Sequence, residues 1–123
     1  MKNPYSIRLS TKNECVILSC EGNMSLADLV VVWQKVQSLL AETGWQRILV
    51  DVTRLRTFPE TEQLFDFAKL LWKSFPKNGR LAMEVRWDQS GPAKFLEMLV
   101  RSVGIYLTVF VSEQQAQRWL LED

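Results

Sequence analysis

The chain has 123 residues, of which 47% are hydrophobic and 24% are charged, and its net charge at pH 7 is +1. This length allows one domain with a single core, and the composition is that of an ordinary globular protein, which argues against disorder. The near balance of 15 basic and 14 acidic residues argues against nucleic-acid binding, which requires an excess of Lys and Arg on one face.

Histidine is absent, which removes the commonest general base, the Ser-His and Cys-His nucleophile pairs and most zinc sites. We therefore predict no catalytic site, no metal site and no cofactor. Cys15 and Cys20 fall in one predicted strand, too far apart for a disulfide and on opposite faces, as in free thiols of a reducing compartment. The segment Met1–Tyr5 lacks the apolar stretch of a signal peptide, and no apolar run is long enough for a membrane span, so we expect a cytoplasmic protein.

The first half of the chain predicts two strands, a helix and a third strand. Residues 5–9 alternate apolar and polar side chains, as in a strand with one face in water, and Cys15–Cys20 is apolar on both faces. Ser25 and Asp28 have the spacing of a capping box, which marks the start of a helix. Residues 48–52 form a short, nearly continuous apolar run, typical of a strand that is covered by helices on both faces.

A second helix is predicted from another capping-box spacing, Thr57 to Glu60, and it extends to about Ser74. Its apolar residues are predicted to share one broad buried face: Leu64, Phe65, Ala68, Leu71, Trp72 and Phe75.

The last third of the chain predicts two strands and two helices. Residues 81–87 alternate as a strand, and residues 88–92 have the composition of a turn. A helix is predicted over residues 92–103, followed by an apolar strand over residues 105–111 and a short helix that begins near Ser112.

The predicted order of elements is therefore β-β-α-β-α-β-α-β-α. Strands that alternate with helices imply a parallel sheet with right-handed crossovers, and the opening hairpin adds an antiparallel pair. We predict a single α/β domain over residues 1–123, with a mixed, mostly parallel five-stranded sheet and about four helices.

This order, with the segment Ile48–Leu55 leading into a helix, resembles the STAS domain, the family of bacterial anti-sigma factor antagonists and of the cytosolic tails of sulfate transporters. The segments Lys94–Gly104, Ile105–Val111 and Glu113–Leu120 resemble the SpoIIAA-like branch. The resemblance implies a non-enzymatic regulatory or scaffolding module that binds a protein partner or itself through helix faces. Because the SpoIIAA-like fold is similar to that of lipid-transfer domains, a carrier or sensor of a small apolar ligand such as a lipid is the alternative.

Phosphorylatable STAS domains carry an Asp-Ser-Ser-Gly-type motif where the second helix begins, and the matching segment here is Pro59–Glu62. Thr61 lies about where the phosphorylated hydroxyl would be, so the resemblance implies a phosphorylation site at Thr61. The glycine and the neighbouring aspartate are missing, however, and Glu60 and Glu62 would repel an added phosphate. The simpler interpretation is that Thr61 faces solvent in the first turn, where the two glutamates favour the positive end of the helix dipole.

Four apolar residues lie off the main stripes of their predicted helices: Phe67, Leu70, Phe95 and Met98. One interpretation is an exposed surface for a protein partner, a second subunit or a small apolar ligand. The other is a wide core stripe, since buried helix faces commonly exceed about 100°.

The carboxyl ends of parallel strands, where ligands of open α/β sheets bind, supply a third candidate. That edge would gather Asp51, Thr53 and Arg54 from one strand end and Trp87, Asp88, Gln89 and Ser90 from another. These side chains could coordinate a polar ligand, or they could simply close turns. An enzyme that uses Asp51 or Asp88 as a lone acid-base group is the hypothesis with the least support.

Overall fold

The computed structural model describes residues 4–122, so residues 1–3 of the segment considered for a signal peptide lie outside the described residues, as does residue 123. The strands are β1 (Tyr5–Lys12), β2 (Cys15–Gly22), β3 (Arg47–Leu55), β4 (Arg80–Glu84) and β5 (Tyr106–Phe110). The helices are α1 (Leu26–Thr43), α2 (Thr61–Ser74), α3 (Ser90–Arg101) and α4 (Glu113–Leu120), and a 3-10 turn, Trp87–Gln89, precedes α3. This is the predicted order of elements.

The five strands form one sheet in the order β1-β2-β3-β4-β5, in which β1 is antiparallel to β2 and the other pairs are parallel. The predicted mixed, mostly parallel sheet is therefore confirmed. Each right-handed crossover connects a strand to the next strand on the same side of it in the sheet. Helices α1, α2 and α3 therefore all lie on one face of the sheet. Helix α4 follows the last strand and packs on the opposite face, against β3 and β4.

The main core lies between the sheet and the three crossover helices. Alternate residues of the strands face it, among them Val16, Ile48 and Leu81, and Leu71 of α2 is fully buried against them. Complete burial of one such aliphatic side chain stabilises the fold by about 1.5–3 kcal/mol.

Helix α4 covers only part of the second face. Ala116 and Leu120 pack on Cys15, Leu49 and Ala82, which form a smaller core. Beyond α4, the same face carries polar side chains and is open to solvent over β1, β2 and the end of β3. The prediction that residues 48–52 are covered by helices on both faces is therefore correct only in part.

The two predicted capping boxes have different outcomes. In α1, the Ser25 hydroxyl accepts from the Asp28 N–H at 3.1 Å, and the Asp28 carboxylate accepts from the Ser25 N–H at 2.9 Å, as predicted. The box at Thr57 is wrong, because α2 begins at Thr61 with Glu60 as its N-cap. Pro59 explains the difference, since a proline disfavours the helical conformation of the preceding residue.

The region after β4 also differs from the prediction. The strand ends at Glu84, so Trp87 is not part of it, and residues 88–92 are helical rather than a turn. The Gln89 side chain decides this local structure: its Oε1 accepts from the Arg86 N–H at 2.9 Å and thereby draws the chain into the 3-10 turn that leads into α3.

The free edge of β5 is covered by side chains of α3. Arg101 Nε donates to the Leu107 carbonyl at 2.9 Å, and the Val109 N–H donates to Glu97 at 3.4 Å. Arg101 and Glu97 also form an ion pair at 3.5 Å. These backbone groups are the ones that an added strand would use, so the β5 edge is protected against strand pairing.

Candidate functional site

The outer surface of α2 and α3 carries large exposed apolar side chains. Phe65 is 46% exposed, Trp72 is 60% exposed and Met98 is 59% exposed. Phe65 and Trp72 lie two turns apart on the same side of α2, and Phe65 contacts Phe95 of α3 edge to face, with ring centroids 5.6 Å apart. We call Phe65, Trp72, Phe95 and Met98 the α2–α3 patch.

The four apolar residues proposed from sequence as an interaction surface do not share one environment. Phe67, Leu70 and Phe95 are half-buried and pack against the main core. Met98 alone of the four is exposed. The wide core stripe therefore accounts for three of them, and the exposed surface lies partly elsewhere.

The sequence pattern assigns Phe65 and Trp72 to the buried face of α2, and this prediction is wrong. The buried residues of this helix are Leu64 and Leu71. Phe65 and Trp72 each follow one of these leucines by one position, which places them about 100° further around the helix. The apolar stripe of α2 is wide enough in sequence to fit either orientation, and packing on the sheet selects one.

The predicted polar edge divides into two parts, of which the first is built on a bulge of β3. The register of β2 and β3 shifts between the pair Ser19–Asp51 and the pair Glu21–Arg54, with the extra residue on β3. Asp51 Oδ1 stabilises the bulge by accepting from the Thr53 N–H at 2.9 Å and from its hydroxyl at 2.6 Å. As a result, Asp51 and Arg54 line the same polar depression on the open face of the sheet.

The second part of the polar edge is held to β3 by Arg86, which no sequence pattern singles out. Its guanidinium donates to the carbonyl oxygens of Thr53 and Leu55 and forms an ion pair with Asp88 at 3.0 Å. The hydrogen bond from Arg86 lowers the pKa of the Asp88 carboxyl. Trp87 projects into solvent with 78% of its surface exposed. A carboxylate with a lowered pKa is poorly suited to general acid catalysis near neutral pH.

Gln89, which the sequence predicts at the same polar edge, is a buried structural residue. It is 3% exposed, and its Nε2 donates to the carbonyl oxygen of Val52 at 2.9 Å and to that of Leu55 at 3.4 Å. No pattern in the sequence indicates its bonds to β3, because Val52 and Leu55 lie more than thirty residues away along the chain.

An apolar cavity of about 50 Å³ lies between the sheet, α1 and α2, next to Trp33, Leu64 and Phe67. Pockets that hold drug-sized ligands have volumes of about 300–1,000 Å³. In this conformation the cavity is therefore too small for a lipid.

No protein-family model matches the sequence, and no curated protein matches it. Solved structures do match the fold. An anti-sigma factor antagonist from Mycobacterium paratuberculosis is similar over 96% of this chain and 95% of its own, with a TM-score of 0.69 and 9% sequence identity. A protein of the DUF3478 family with a SpoIIAA-like fold, from Shewanella loihica, is similar over 98% of both chains, with a TM-score of 0.62 and 18% identity.

The fold is STAS-like. The resemblance inferred from the segments of the second half is thereby confirmed for the fold, including its SpoIIAA-like character. Sequence identities of 9% and 18% show the fold alone, so the roles of individual residues in this STAS-like chain depend on their own geometry.

Thr61 is the first residue of α2 in this STAS-like fold, and it is exposed. It lies one helical turn before Phe65, so its hydroxyl is at the end of the α2–α3 patch. Glu60 and Glu62 beside it are also exposed. The position fits both a modification site and a solvent-facing residue of the first turn.

The two cysteines of the STAS-like domain are free and buried, on opposite faces of the sheet as predicted. Burial raises the pKa of the Cys20 thiol to about 12, and the negative charge of Asp51 adds to this effect. Burial also raises the pKa of Cys15. The positive charge of Arg47 acts in the opposite direction on the pKa of Cys15, but burial has the larger effect. Both thiols therefore lack the accessible surroundings of a reactive cysteine.

We expect both thiols to resist alkylation by iodoacetamide in the folded protein at about pH 8. Both are buried, and the reactive thiolate of Cys20 is almost absent at that pH. Both should react once the chain is unfolded in guanidinium chloride. Intact-mass spectrometry would count the adducts in each case, and rapid modification of Cys20 in the folded protein would contradict the burial described above.

Two further kinds of site are absent from the part of the chain that the structure describes. Residues 4–122 contain no group of three or more His, Cys, Asp or Glu side chains placed to hold a metal ion. Within the same range, no helix combines the length and the apolar character needed to span a membrane.

Proposed function

We propose that this STAS-like chain is a non-enzymatic regulatory or scaffolding module that binds a protein partner through the α2–α3 patch. The observation that carries the proposal is the exposure of Phe65, Trp72 and Met98 on two adjacent helices. Aromatic residues and methionine are enriched at the centres of protein interfaces, and buried aromatic anchors often dominate the binding energy. The similarity in fold to an anti-sigma factor antagonist also supports a protein-binding role.

The surroundings of the patch support a helix-mediated contact. Exposed charged side chains of both signs lie among the aromatic residues of α2: Lys69 lies between Phe65 and Trp72 on the same side of the helix, and Asp66 follows Phe65. Interfaces between soluble proteins combine apolar side chains with polar ones in this way. Addition of a strand beside β5 is a less favourable mode, because Arg101 and Glu97 occupy that edge of the sheet.

The proposal needs no cofactor and no nucleic acid, and it locates the protein in the cytoplasm. Free Cys15 and Cys20 support a reducing compartment. The partner is a second protein or a second copy of the chain, and the two differ in an observable way, because only self-association changes the mass of the purified protein.

We expect the double substitution Trp72→Ala and Met98→Ala to weaken partner binding by about tenfold or more, since each removes a large, exposed apolar side chain from the patch. The stability of the fold should change by less than about 1 kcal/mol, because both side chains are largely in solvent. Trp87→Ala is the matched control: it removes an exposed tryptophan outside the patch.

Light scattering of the purified protein measures self-association. Affinity capture from the source organism identifies partner proteins, and calorimetric titration with each captured protein in purified form measures its affinity. The proposal is supported if the wild type binds a partner stoichiometrically, or forms a dimer, and if this binding is lost in the double variant but kept in Trp87→Ala. A partner that binds both variants with equal affinity would refute it, as would a monomer that retains no protein.

Thr61 is the proposed point of regulation. A phosphate there would add about −1.5 to −2 charges one turn from Phe65, at the end of the patch. We expect Thr61→Glu to weaken binding of the same partner while Thr57→Glu, in the exposed loop before α2, leaves it unchanged. Equal binding by wild type and Thr61→Glu, together with absence of modified Thr61 from the cellular protein, would exclude this role.

A carrier of a small apolar ligand remains the second candidate, and the apolar cavity beside Trp33 is the observation in its favour. At about 50 Å³ the cavity would have to expand several-fold to hold a lipid. Native mass spectrometry of the gently purified protein decides between the two functions: an added mass of a lipid favours the carrier, and its absence favours the interaction module.

A further inference from the structure

The half of the second sheet face that α4 leaves open contains a polar pocket. Its volume is about 250 Å³, and its polar lining residues are Ser6, Arg8, Ser19, Glu21, Asp51 and Arg54. The pocket lies on the face opposite α1, α2 and α3, so it is independent of the α2–α3 patch.

The strand register explains why a pocket forms here. Arg8 pairs with Ser19, Ser19 pairs with Asp51, and Asp51 pairs with Glu84 of β4, so these four side chains form a row across four adjacent strands. The next row on the same face joins Ser6 to Glu21 and Glu21 to Arg54. Adjacent strands are about 4.8 Å apart, so the short side chains of Ser6 and Ser19 leave a depression among the longer side chains of the same two rows.

The β3 bulge completes the basic side of the pocket. Residues 51 and 54 of a regular strand would point to opposite faces, because side chains alternate. The extra residue at Thr53 brings Arg54 to the same side as Asp51. Bulges frequently re-aim a side chain in this way beside functional sites.

The charged groups of the pocket are available to a ligand. Among residues 4–122 the ion pairs are Arg86–Asp88 and Arg101–Glu97, so neither Arg8 nor Arg54 has a carboxylate of this range at ion-pair distance. Asp51 uses Oδ1 for the bulge, and its Oδ2 accepts no hydrogen bond from these residues.

The balance of charge selects the ligand. A simple anion would be attracted by the two arginines but repelled by Glu21, by Asp51 and by Glu84, which neighbours Asp51 on β4. A simple cation would experience the reverse. We propose that this pocket binds a small zwitterion with one carboxylate and one ammonium group, of the class of the α-amino acids. The guanidinium groups of Arg8 and Arg54 bind the carboxylate, and the carboxylates of Asp51 and Glu21 accept from the ammonium group.

The test is a titration of ¹⁵N-labelled protein with each proteinogenic amino acid in turn at low ionic strength. The chemical shifts of the backbone amides are recorded at each step by NMR. We expect at least one amino acid to give saturable shifts centred on Ser19, Glu21 and Arg54. Acetate and methylammonium, which carry one charge each, should bind at least about tenfold more weakly. Failure of every amino acid to give a saturable shift, or equal binding of acetate, would overturn the proposal.

Variants then assign the binding to the pocket. Arg54→Gln should weaken binding of that amino acid by about tenfold or more, and so should Asp51→Asn, which keeps the Oδ1 acceptor for Thr53 but removes the charge. Arg56→Gln, at an exposed arginine outside the lining, is the control and should bind as wild type does. Binding that is unchanged in Arg54→Gln, or that falls equally in Arg56→Gln, would place the ligand elsewhere and refute the site. Neither result affects the α2–α3 patch.

Discussion

Replacement of Gln89 by leucine should lower the free energy of unfolding by about 2–4 kcal/mol. The side chain is 3% exposed and joins the end of β3 to the turn before α3. Leucine fills a similar volume, but it leaves the Val52 carbonyl without the amide donor and the Arg86 N–H without its acceptor. Each buried polar group that loses its partner costs about 1–3 kcal/mol.

Urea denaturation followed by circular dichroism measures this effect. Gln114→Leu is the matched control, since Gln114 is exposed on α4, and its stability should stay within about 0.5 kcal/mol of the wild type. If Gln89→Leu were as stable as Gln114→Leu, the glutamine would not hold the end of β3 in place.

Substitution of Gly22 by alanine should be as costly, with an expected loss of about 3 kcal/mol of unfolding free energy. Gly22 ends β2 with a φ of +96°, a conformation that disfavours side chains. An added Cβ would clash with the carbonyl oxygen of Pro4 and lie 3.0 Å from the Cα of Tyr5. Both are backbone atoms, so relief requires a shift of β1, and that carbonyl already accepts from the Asn23 N–H at 2.9 Å.

The variant Gly44→Ala separates the cost of the positive φ from the cost of the steric clash. Gly44 has a φ of +74° at the end of α1, but no atom beyond its two chain neighbours lies within 4 Å of the position that an added Cβ would take. Only the conformational cost of about 1 kcal/mol is therefore expected there. The difference between the two variants in thermal or urea unfolding measures the clash at Pro4. Equal losses would mean that β1 moves freely and contributes little to the sheet.

Sequence spacing predicts local structure correctly where all the residues that form the hydrogen bonds lie within one turn. The capping box of Ser25 and Asp28 needs only adjacent residues, and it forms as predicted. The box predicted at Thr57 uses the same rule but fails, because Pro59 restricts the backbone of Phe58. Pro59 is visible in the sequence, and its effect on the preceding residue predicts a start of α2 closer to Thr61 than the capping-box spacing does.

Surface and core were harder to separate on α2. Apolar residues cover so much of this helix that periodicity allows two orientations, which differ by about one residue step. Packing on the sheet buries Leu64 and Leu71 and leaves Phe65 and Trp72 in solvent. The α2–α3 patch was therefore out of reach of the sequence pattern, although two of its members, Phe95 and Met98, stand out in the sequence.

The sequence by itself determined the order of the elements, the mixed five-stranded sheet and the burial of Cys15 and Cys20 on opposite faces, because periodicity and strand connectivity contain that information. Only the tertiary structure decided which surfaces are exposed and which distant residues meet. Strand register and one bulge place Arg8 and Arg54 in the same pocket, and the bonds from Gln89 to Val52 and Leu55 span more than thirty residues. Such contacts are long-range, and a local pattern of side chains does not encode them.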